Sequence, residues 1–171
     1  MTRRTVPGTL LALTAALALT ACGGEDGSGS SIEQPTSVVA EEISTDLSEA
    51  PEVPASDAPA PTELVVEDVV RGDGEEAVEG STVAVKYVGG FYETGEEFDS
   101  SWSRGADETL PVTLGAGQVI PGFEQGITGM QVGGRRVITI PSELGYGEQD
   151  RGPIPGGSTL VFVVDLVEVT G

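Results

Sequence analysis

The sequence predicts an α+β domain in which an antiparallel sheet packs against a single short helix. Short runs of β-branched and aromatic residues alternate between apolar and polar positions, and glycine-rich turns separate them. One further stretch, residues 118–134, places its apolar residues at helical spacing. Short strands, tight turns and one brief helix are typical of a sheet with a helix on one face. The predicted domain covers residues 63–171, which is long enough for one modest core.

The strands follow from these runs in chain order. Residues 64–70 predict a first strand, and the Gly-Asp-Gly turn after it ends that strand. Residues 82–88 alternate with period two, as a half-buried strand does, and Gly89-Gly90 after them indicates a bulge or bend. Further strands are predicted at residues 98–101, 110–114, 135–140 and 158–169.

The helix is predicted within residues 118–134 despite five glycines. Pro121 is suited to the first helical position, where its missing N–H costs nothing. Gly126 and Gly129 are expected to let the helix approach a curved sheet, and Gly133-Gly134 to end it. Phe123 is expected to point into the sheet, as an ordinary core aromatic or as part of a site. The apolar positions of the helical face are Val119, Ile120, Phe123, Ile127 and Met130.

The first 21 residues predict a signal peptide. A basic start is followed by an apolar run of about a dozen residues, shorter than the ~20 that a membrane-spanning helix needs. A buried core helix is the alternative, and Arg3-Arg4 leaves twin-arginine export open beside general secretion. Leu19-Thr20-Ala21-Cys22 resembles a bacterial lipobox, which implies cleavage before Cys22 and lipidation of its thiol. An unmodified cysteine in a secreted protein is the alternative.

Residues 22–62 predict a disordered acidic tether. The stretch is rich in Ser, Pro, Ala and Thr, contains no Lys, Arg or aromatic residue, and carries many acids. Calcium binding is a weaker interpretation, because the acids lack loop-like ligand spacing. With the lipid on Cys22, the expected location is the outer face of the bacterial cytoplasmic membrane.

The composition excludes several function classes. Eight Lys+Arg stand against 28 Asp+Glu, a formal net charge of −20, which disfavours nucleic acid as a partner. The absence of histidine excludes His-based acid–base catalysis and His metal sites, and a single cysteine excludes an internal disulfide. No cofactor and no metal is predicted, and a monomer is expected.

The motifs of the predicted domain, taken in order, resemble those of an FK506-binding-protein-type peptidyl-prolyl isomerase. The resemblance runs from about residue 64 to 170. It implies a five- to six-stranded antiparallel sheet wrapped around one short helix, with a pocket between them. The motifs are VKY at 85–87, GxxFDSS at 95–101, VIPGFExG at 119–126, MxVG at 130–133, IPxxxGYG at 140–147 and STLVFxVxL at 158–166.

This resemblance implies acceleration of Xaa-Pro bond rotation in proline-containing polypeptides, with FK506-type macrolides as inhibitors. Rotation crosses a barrier of ~18–20 kcal/mol and needs no nucleophile, metal or general base. A dry apolar pocket and a few oriented donors favour the twisted amide. The implied catalytic residues are Asp99, Tyr146, Phe123 and Ile120, the last through its backbone N–H. The implied substrate-binding residues are Tyr87, Phe98, Arg104, Leu110, Gln118, Val119, Ile154 and Phe162.

Other interpretations stay open at this stage. Phe98 and Phe162 are also plausible core residues, Tyr146 a loop cap, Asp99 a turn acceptor and Arg104 a surface charge. The same fold is compatible with a non-catalytic module that binds proline segments or acts as a chaperone, or with a purely structural lipoprotein.

Overall fold

A computed structural model describes residues 38–171, and its main element is a six-stranded antiparallel sheet. This architecture confirms the predicted α+β fold. Two short 3-10 turns, Trp102–Arg104 and Ser142–Leu144, connect neighbouring elements. The helices are α1 (Val38–Glu41) and α2 (Pro121–Ile127), and the strands are β1 (Val65–Val70), β2 (Thr82–Phe91), β3 (Glu97–Ser100), β4 (Leu110–Thr113), β5 (Arg135–Ile140) and β6 (Leu160–Thr170).

The strand order is β1-β5-β6-β2-β3. Strand β3 pairs with residues 88–90 of β2, and β4 pairs with residues 82–85 of the same strand. Strand β2 therefore bonds to three strands: β6 along one edge, and β3 and β4 along different parts of its length. The register of β2 with β3 shifts between Gly89 and Gly90, which confirms the predicted bulge.

Helix α2 covers one face of the sheet, which we call the inner face. Phe123 and Ile127 are buried against it, as predicted. A Cβ on Gly126 would lie 2.5 Å from Ile138 of β5, and one on Gly122 would overlap Ile140, so glycine is required at both positions. The prediction for Gly129 was wrong in its reason, because nothing lies near it and its φ is +81°.

The helix is also shorter than predicted. It ends at Ile127, with Thr128 as C-cap, and the positive φ of Gly129 turns the chain away. The predicted end at Gly133-Gly134 was therefore wrong by about one and a half turns. A seven-residue helix is marginal in water, so α2 depends on its buried face for stability.

The opposite, outer face of the sheet is covered by residues 38–57, which we call the strap. Val39, Ile43 and Val53 of the strap are buried in one cluster with β-strand side chains such as Val137 and Val163. The prediction of a disordered tether is therefore wrong for residues 38–57. The segment folds because a few apolar residues are spaced among its acids. These apolar residues bury enough surface to order the segment once a β-sheet face is available.

Arg135 of β5 holds the strap through hydrogen bonds to backbone carbonyls. Its side chain is fully buried and pairs with Asp165 of β6, with Nε–Oδ1 at 2.5 Å and Nη2–Oδ2 at 2.7 Å. The remaining N–H groups donate to the carbonyls of Ser44 (2.8 Å), Asp46 (3.0 Å) and Glu49 (3.0 Å). All five donors of the guanidinium are thus satisfied, which is the condition under which a buried arginine is tolerated.

The strap then continues to the β2–β3 turn. The N–H of Ser56 donates to the carbonyl of Tyr92 at 3.0 Å. Gly90 and Gly95 make room for it, because a Cβ on Gly95 would lie 2.5 Å from the Val53 carbonyl oxygen and one on Gly90 would lie 3.0 Å from the Val53 Cβ. The strap is thus part of the folded domain.

The predicted signal peptide (1–21), the lipidation of Cys22 and residues 22–37 of the predicted tether lie outside the described residues. Within residues 38–171, no helix is both long and apolar enough to cross a membrane.

Candidate active site

A cavity of about 670 Å³ opens between the inner face of the sheet and the start of α2. It is a size that accommodates a small organic ligand or a few side chains. All predicted site residues of the domain line it except Arg104 and Ile154. Its lining consists of Tyr87, Phe98, Asp99, Leu110, Gly117, Gln118, Val119, Ile120, Pro121, Phe123, Gly145, Tyr146, Arg151 and Phe162.

Four aromatic rings form the apolar part of this lining. Phe123 packs edge-to-face on Phe162, with ring centroids 4.9 Å apart, and on Tyr87 at 5.9 Å. Phe98 packs edge-to-face on Phe162 at 5.6 Å. These are the preferred geometries of aromatic pairs, so each ring is fixed by its neighbours.

Gly89 makes this aromatic packing possible. A Cβ at this position would lie 2.8 Å from the Phe162 ring and 2.9 Å from the Phe98 ring. Gly89 and Gly90 thus serve opposite faces of the sheet, the first for the rings and the second for the strap. The sequence predicts only a bulge or bend at this pair.

Asp99 lies at the end of β3 in a network with Tyr87 and Arg104. The Tyr87 hydroxyl donates to Asp99 Oδ2 at 2.5 Å, and Arg104 Nη1 donates to Asp99 Oδ1 at 2.9 Å. Arg104 Nη2 also donates to the Tyr87 hydroxyl oxygen at 3.0 Å, so each of the three side chains is hydrogen-bonded to the other two. The N–H of Ser100 donates to Asp99 Oδ1, so the turn-acceptor role also holds.

This network shifts the pKa of two of its members. Burial, and then the hydrogen bond to Asp99, raises the pKa of the Tyr87 phenol above its usual 10.0. The hydrogen bonds to Tyr87 and Asp99 raise the pKa of Arg104. Tyr87 therefore stays a neutral donor, and Arg104 a cation, throughout the ordinary pH range.

Arg104 does not line the cavity, contrary to the prediction that it binds substrate. It supports two residues that do, Tyr87 and Asp99, from the 3-10 turn after β3. The same turn carries Trp102, which packs against the outer-face cluster and under Lys86, whose Nζ lies 4.3 Å from the ring centroid. One turn thus reaches both faces of the sheet.

Two donors that line the cavity have no partner among residues 38–171. Ile120 is the N-cap of α2, and its carbonyl accepts from Phe123 N–H at 3.0 Å and from Glu124 N–H at 3.3 Å. Its own N–H, and the hydroxyl of Tyr146, meet no acceptor within the described part of the chain. Tyr146 is 37% exposed. Both groups are thus available to a ligand in the cavity.

The loop before α2 is held by side chains of the same region. Glu124 Oε1 accepts from the N–H groups of Gly115 (2.5 Å) and Gly117 (3.4 Å), and Gln118 Oε1 accepts from Thr113 N–H at 3.2 Å. These bonds fix the chain that leads to Val119 and Ile120. Gln118 therefore both lines the cavity and shapes it.

Ile154, which was also predicted to bind substrate, is buried in the core and does not line the cavity. It exchanges two backbone hydrogen bonds with Arg151, which does line it. Arg151 was not predicted as a site residue, because its loop, residues 148–155, follows no periodic pattern. The signal that was present is an arginine four residues after the Gly-Tyr-Gly motif.

Among residues 38–171, no group of three or more potential metal ligands is close enough to hold an ion. The cavity offers the Tyr146 hydroxyl, the Ile120 N–H and the Arg151 guanidinium as donors, whereas the Asp99 carboxylate already accepts three hydrogen bonds. The arrangement can enclose an apolar ring and hold the carbonyl oxygens beside it.

Comparison with known proteins agrees with this geometry. Residues 73–167 match the model of the FKBP-type peptidyl-prolyl cis-trans isomerase family. The chain belongs to this family. It is therefore a peptidyl-prolyl cis-trans isomerase of the FKBP type.

Two similar bacterial proteins match over nearly their whole length. The FK506-binding protein of Streptomyces anulatus is 50% identical over 123 residues, which cover 71% of this chain and 98% of that protein. The probable FK506-binding protein of Corynebacterium glutamicum is 47% identical over 119 residues, covering 70% and 98%. A span of this length exceeds the predicted domain of residues 63–171, so the similarity extends into the segment that was predicted to be a tether.

Two crystal structures share the fold. AtFKBP13 is 36% identical, with a TM-score of 0.58 and coverage of 65% of this chain and 96% of that one. FkpA from Escherichia coli is 39% identical, with a TM-score of 0.57 and coverage of 70% of this chain and 52% of that one.

Proposed function

We propose that this FKBP-type isomerase acts on Xaa-Pro bonds by enclosing the proline in the aromatic cavity of the inner face. The observation that carries the proposal is the coincidence of an apolar aromatic wall with two unpartnered donors, Ile120 N–H and Tyr146 O–H, in one cavity. In this proposal Phe123, Phe162 and Tyr87 contact the proline ring, while the two donors bind carbonyl oxygens that flank the rotating bond.

The physical basis is the loss of amide resonance during rotation. The planar amide is strongly dipolar and well solvated, whereas the twisted amide has lost the partial double bond and its charge separation. An apolar, water-poor cavity therefore disfavours the planar form more than the twisted one. Donors placed in advance on the neighbouring carbonyls hold the chain while the bond turns. No bond is broken and no proton is transferred.

Asp99 acts in this proposal by orienting Tyr87 and Arg104. Its oxygens already accept from the Tyr87 hydroxyl, Arg104 and the Ser100 N–H. It is not required to act as a base, because the reaction involves no proton transfer. The remaining walls are formed by Phe98, Leu110, Gln118 and Val119.

The test is the catalysed cis-to-trans rate constant for a Leu-Pro peptide, measured with the wild type, Phe123→Leu and Tyr146→Phe. Tyr146→Phe removes only the hydroxyl, and we expect kcat/KM to fall about threefold to tenfold. Phe123→Leu keeps an apolar side chain and is expected to cost at least as much, because the ring contact is lost. Circular dichroism must first show that each variant is folded. A folded wild type that binds the peptide without accelerating it would make the protein a binding module.

Binding of an FK506-type macrolide to the same cavity is part of the proposal. Its support is that the similar proteins from S. anulatus and C. glutamicum carry the name FK506-binding protein. FK506 should inhibit the peptide assay competitively, and Phe123→Leu should weaken that inhibition. Inhibition without competition would place the macrolide elsewhere.

We further propose that the protein acts outside the cytoplasm as a monomer anchored through lipid on Cys22. The support is the sequence alone: a basic start, a short apolar run and a lipobox-like Leu19-Thr20-Ala21-Cys22. Two or more acyl chains give stable anchoring. Metabolic labelling with a palmitate analogue should mark the wild type in the membrane fraction, and Cys22→Ser should abolish the label. A labelled Cys22→Ser protein would contradict the anchor. Sedimentation of the soluble domain tests the monomer.

A further inference from the structure

The loop after Tyr146 brings a cation to the cavity that the proposed function does not use. Arg151 lines the cavity, and the other charged residue in its lining is Asp99. Asp99 already has a cationic partner, because Arg104 lies 2.9 Å from its Oδ1. The charge of Arg151 is therefore the one in the lining that is not balanced by a neighbouring side chain.

The backbone of Arg151 is fixed. Its N–H donates to the Ile154 carbonyl at 2.8 Å, and the Ile154 N–H donates back to the Arg151 carbonyl at 3.0 Å. Ile154 is itself buried in the core, so this pair of bonds ties the loop to the domain. Asp150 Oδ1 accepts from Gly156 N–H at 2.9 Å, which closes the loop on the other side. The guanidinium thus extends from a defined position.

The Arg151 guanidinium has no partner within residues 38–171. Each of the other four described arginines forms an ion pair: Arg71 and Arg136 with Asp68, Arg104 with Asp99 and Arg135 with Asp165. Lys86 lies over the Trp102 ring. No carboxylate lies within 4.0 Å of Arg151, and no hydrogen bond from its side chain is formed in the described part of the chain. Arg151 is exposed, so its five N–H donors are free to exchange solvent for an acceptor on a ligand in the cavity.

We propose that Arg151 binds a carboxylate of the substrate next to the proline, so that the enzyme prefers acidic sequences around the Xaa-Pro bond. The planar guanidinium matches a carboxylate with two parallel hydrogen bonds. This inference rests on the proposed function, because it requires the proline to occupy the aromatic cavity. The carboxylate belongs either to an Asp or Glu side chain or to the C-terminus of the polypeptide.

The net charge of the protein makes the preference for acidic peptides depend on salt. The chain carries a formal charge of −20, so an acidic polypeptide is repelled at long range. That repulsion is screened beyond ~8 Å at physiological salt, whereas a direct contact with Arg151 is screened less. The preference for acidic peptides should therefore be weak at low salt and become clearer as salt is raised to the physiological level.

The experiment compares kcat/KM for peptides with a Leu-Pro core. Glu, Gln or Lys is placed in turn at one of two positions, either directly before Leu or directly after Pro. Each peptide is made with an amidated and with a free C-terminus, which separates the two sources of carboxylate. The readout is the Glu-to-Gln ratio at one position, or the free-to-amidated ratio, so a general change in the cavity cancels. We expect a ratio of about three to five in the wild type.

Three variants decide the result. In Arg151→Gln the ratio should fall to about one, and in Arg151→Glu it should invert so that Lys is preferred over Gln. The matched control is Arg71→Gln, which removes the same charge from an exposed site outside the cavity and should keep the wild-type ratio. Equal ratios in wild type, Arg151→Gln and Arg151→Glu would overturn the inference alone. Failure of folded wild type to accelerate even the Gln peptides would overturn the proposed function, and the inference with it.

Discussion

The two faces of the sheet each carry an arginine–aspartate pair, and the pairs differ in every respect that decides their role. Arg135 and Asp165 lie under the strap, with side chains 0% and 7% exposed. Arg104 and Asp99 lie beside the cavity, with side chains 48% and 47% exposed. The first pair is saturated with hydrogen bonds inside the protein, whereas the second borders an open cavity.

The same pair of residue types therefore stabilises the fold on the outer face and, in the proposed function, orients a cavity residue on the inner face. A buried pair costs solvation and is tolerated only when all its polar atoms are bonded, so removal of one partner alone destabilises the fold. A half-exposed pair contributes little to stability, because water and salt screen it. What the exposed pair can do is orient Tyr87 at the cavity.

Removal of the strap is expected to have the largest effect. A chain that begins at residue 63 exposes the outer-face valines of β2, β5 and β6 and deprives Arg135 of three carbonyl acceptors. We expect the free energy of unfolding to fall by about 5 kcal/mol relative to a chain that begins at residue 38, measured by urea denaturation. Equal stability of the two chains would show that the strap only rests on the sheet.

Arg135→Met tests the contribution of the buried ion pair to stability while the strap is still present. The buried Asp165 then has no counter-charge, and we expect a loss of about 3–5 kcal/mol in the free energy of unfolding. The double variant Arg135→Met/Asp165→Leu should recover part of the loss, since no charge remains buried. The matched variant on the inner face, Arg104→Met, should leave the unfolding midpoint nearly unchanged. A similar loss of stability in both single variants would contradict the difference in role between the two ion pairs.

Asp99→Asn probes the exposed pair through activity. The amide keeps the shape of the carboxylate but loses the ion pair with Arg104, so Tyr87 is oriented less firmly. We expect kcat/KM on the Leu-Pro peptide to fall about tenfold, with the melting temperature close to that of the wild type. An unchanged kcat/KM would assign Asp99 to the turn at the end of β3 alone.

The smallest expected effect is the pH dependence. The folded-state pKa of Tyr87 is raised above 10.0, so its contribution to stability is fully present below pH 10 and is lost as pH rises from there through the folded pKa. The contribution of Tyr87 to activity and stability should therefore be flat from about pH 6 to 9, below the range in which its phenol titrates. The alkaline titration of tyrosinate absorbance in wild type minus Tyr87→Phe gives the pKa directly. A value below 10.0 would contradict the proposed network.

Most of the inner face could be predicted from the sequence, because its residues fall on regular elements. Period-two alternation located β2, the long run of residues 158–169 located β6, and the helical spacing around Phe123 located α2. Ten of the twelve domain residues that the ordered motifs of the resemblance imply for the site line the cavity, and Arg104 and Ile154 do not. The end of α2 was wrong because Gly129, by adopting a positive φ, ends the helix before Gly133-Gly134.

The outer face could not be predicted, for a physical reason. The strap has neither helical nor strand periodicity beyond the four residues of α1, and its apolar residues are sparse. Its stability comes from a sheet face and from Arg135, which is about ninety residues away in sequence. Amino-acid composition indicates only whether a segment can form a core of its own. The strap forms none, because its apolar residues are buried against the sheet.

The most direct test of the division between the faces is the catalysed rate constant per folded molecule of Arg135→Met and Arg104→Met, measured side by side on one Leu-Pro peptide. The folded fraction of each variant is taken from its own denaturation curve. If the inner face carries catalysis, Arg135→Met keeps the wild-type rate constant within about twofold, while Arg104→Met loses about threefold to tenfold. Folded Arg135→Met that loses as much activity as Arg104→Met would contradict the account.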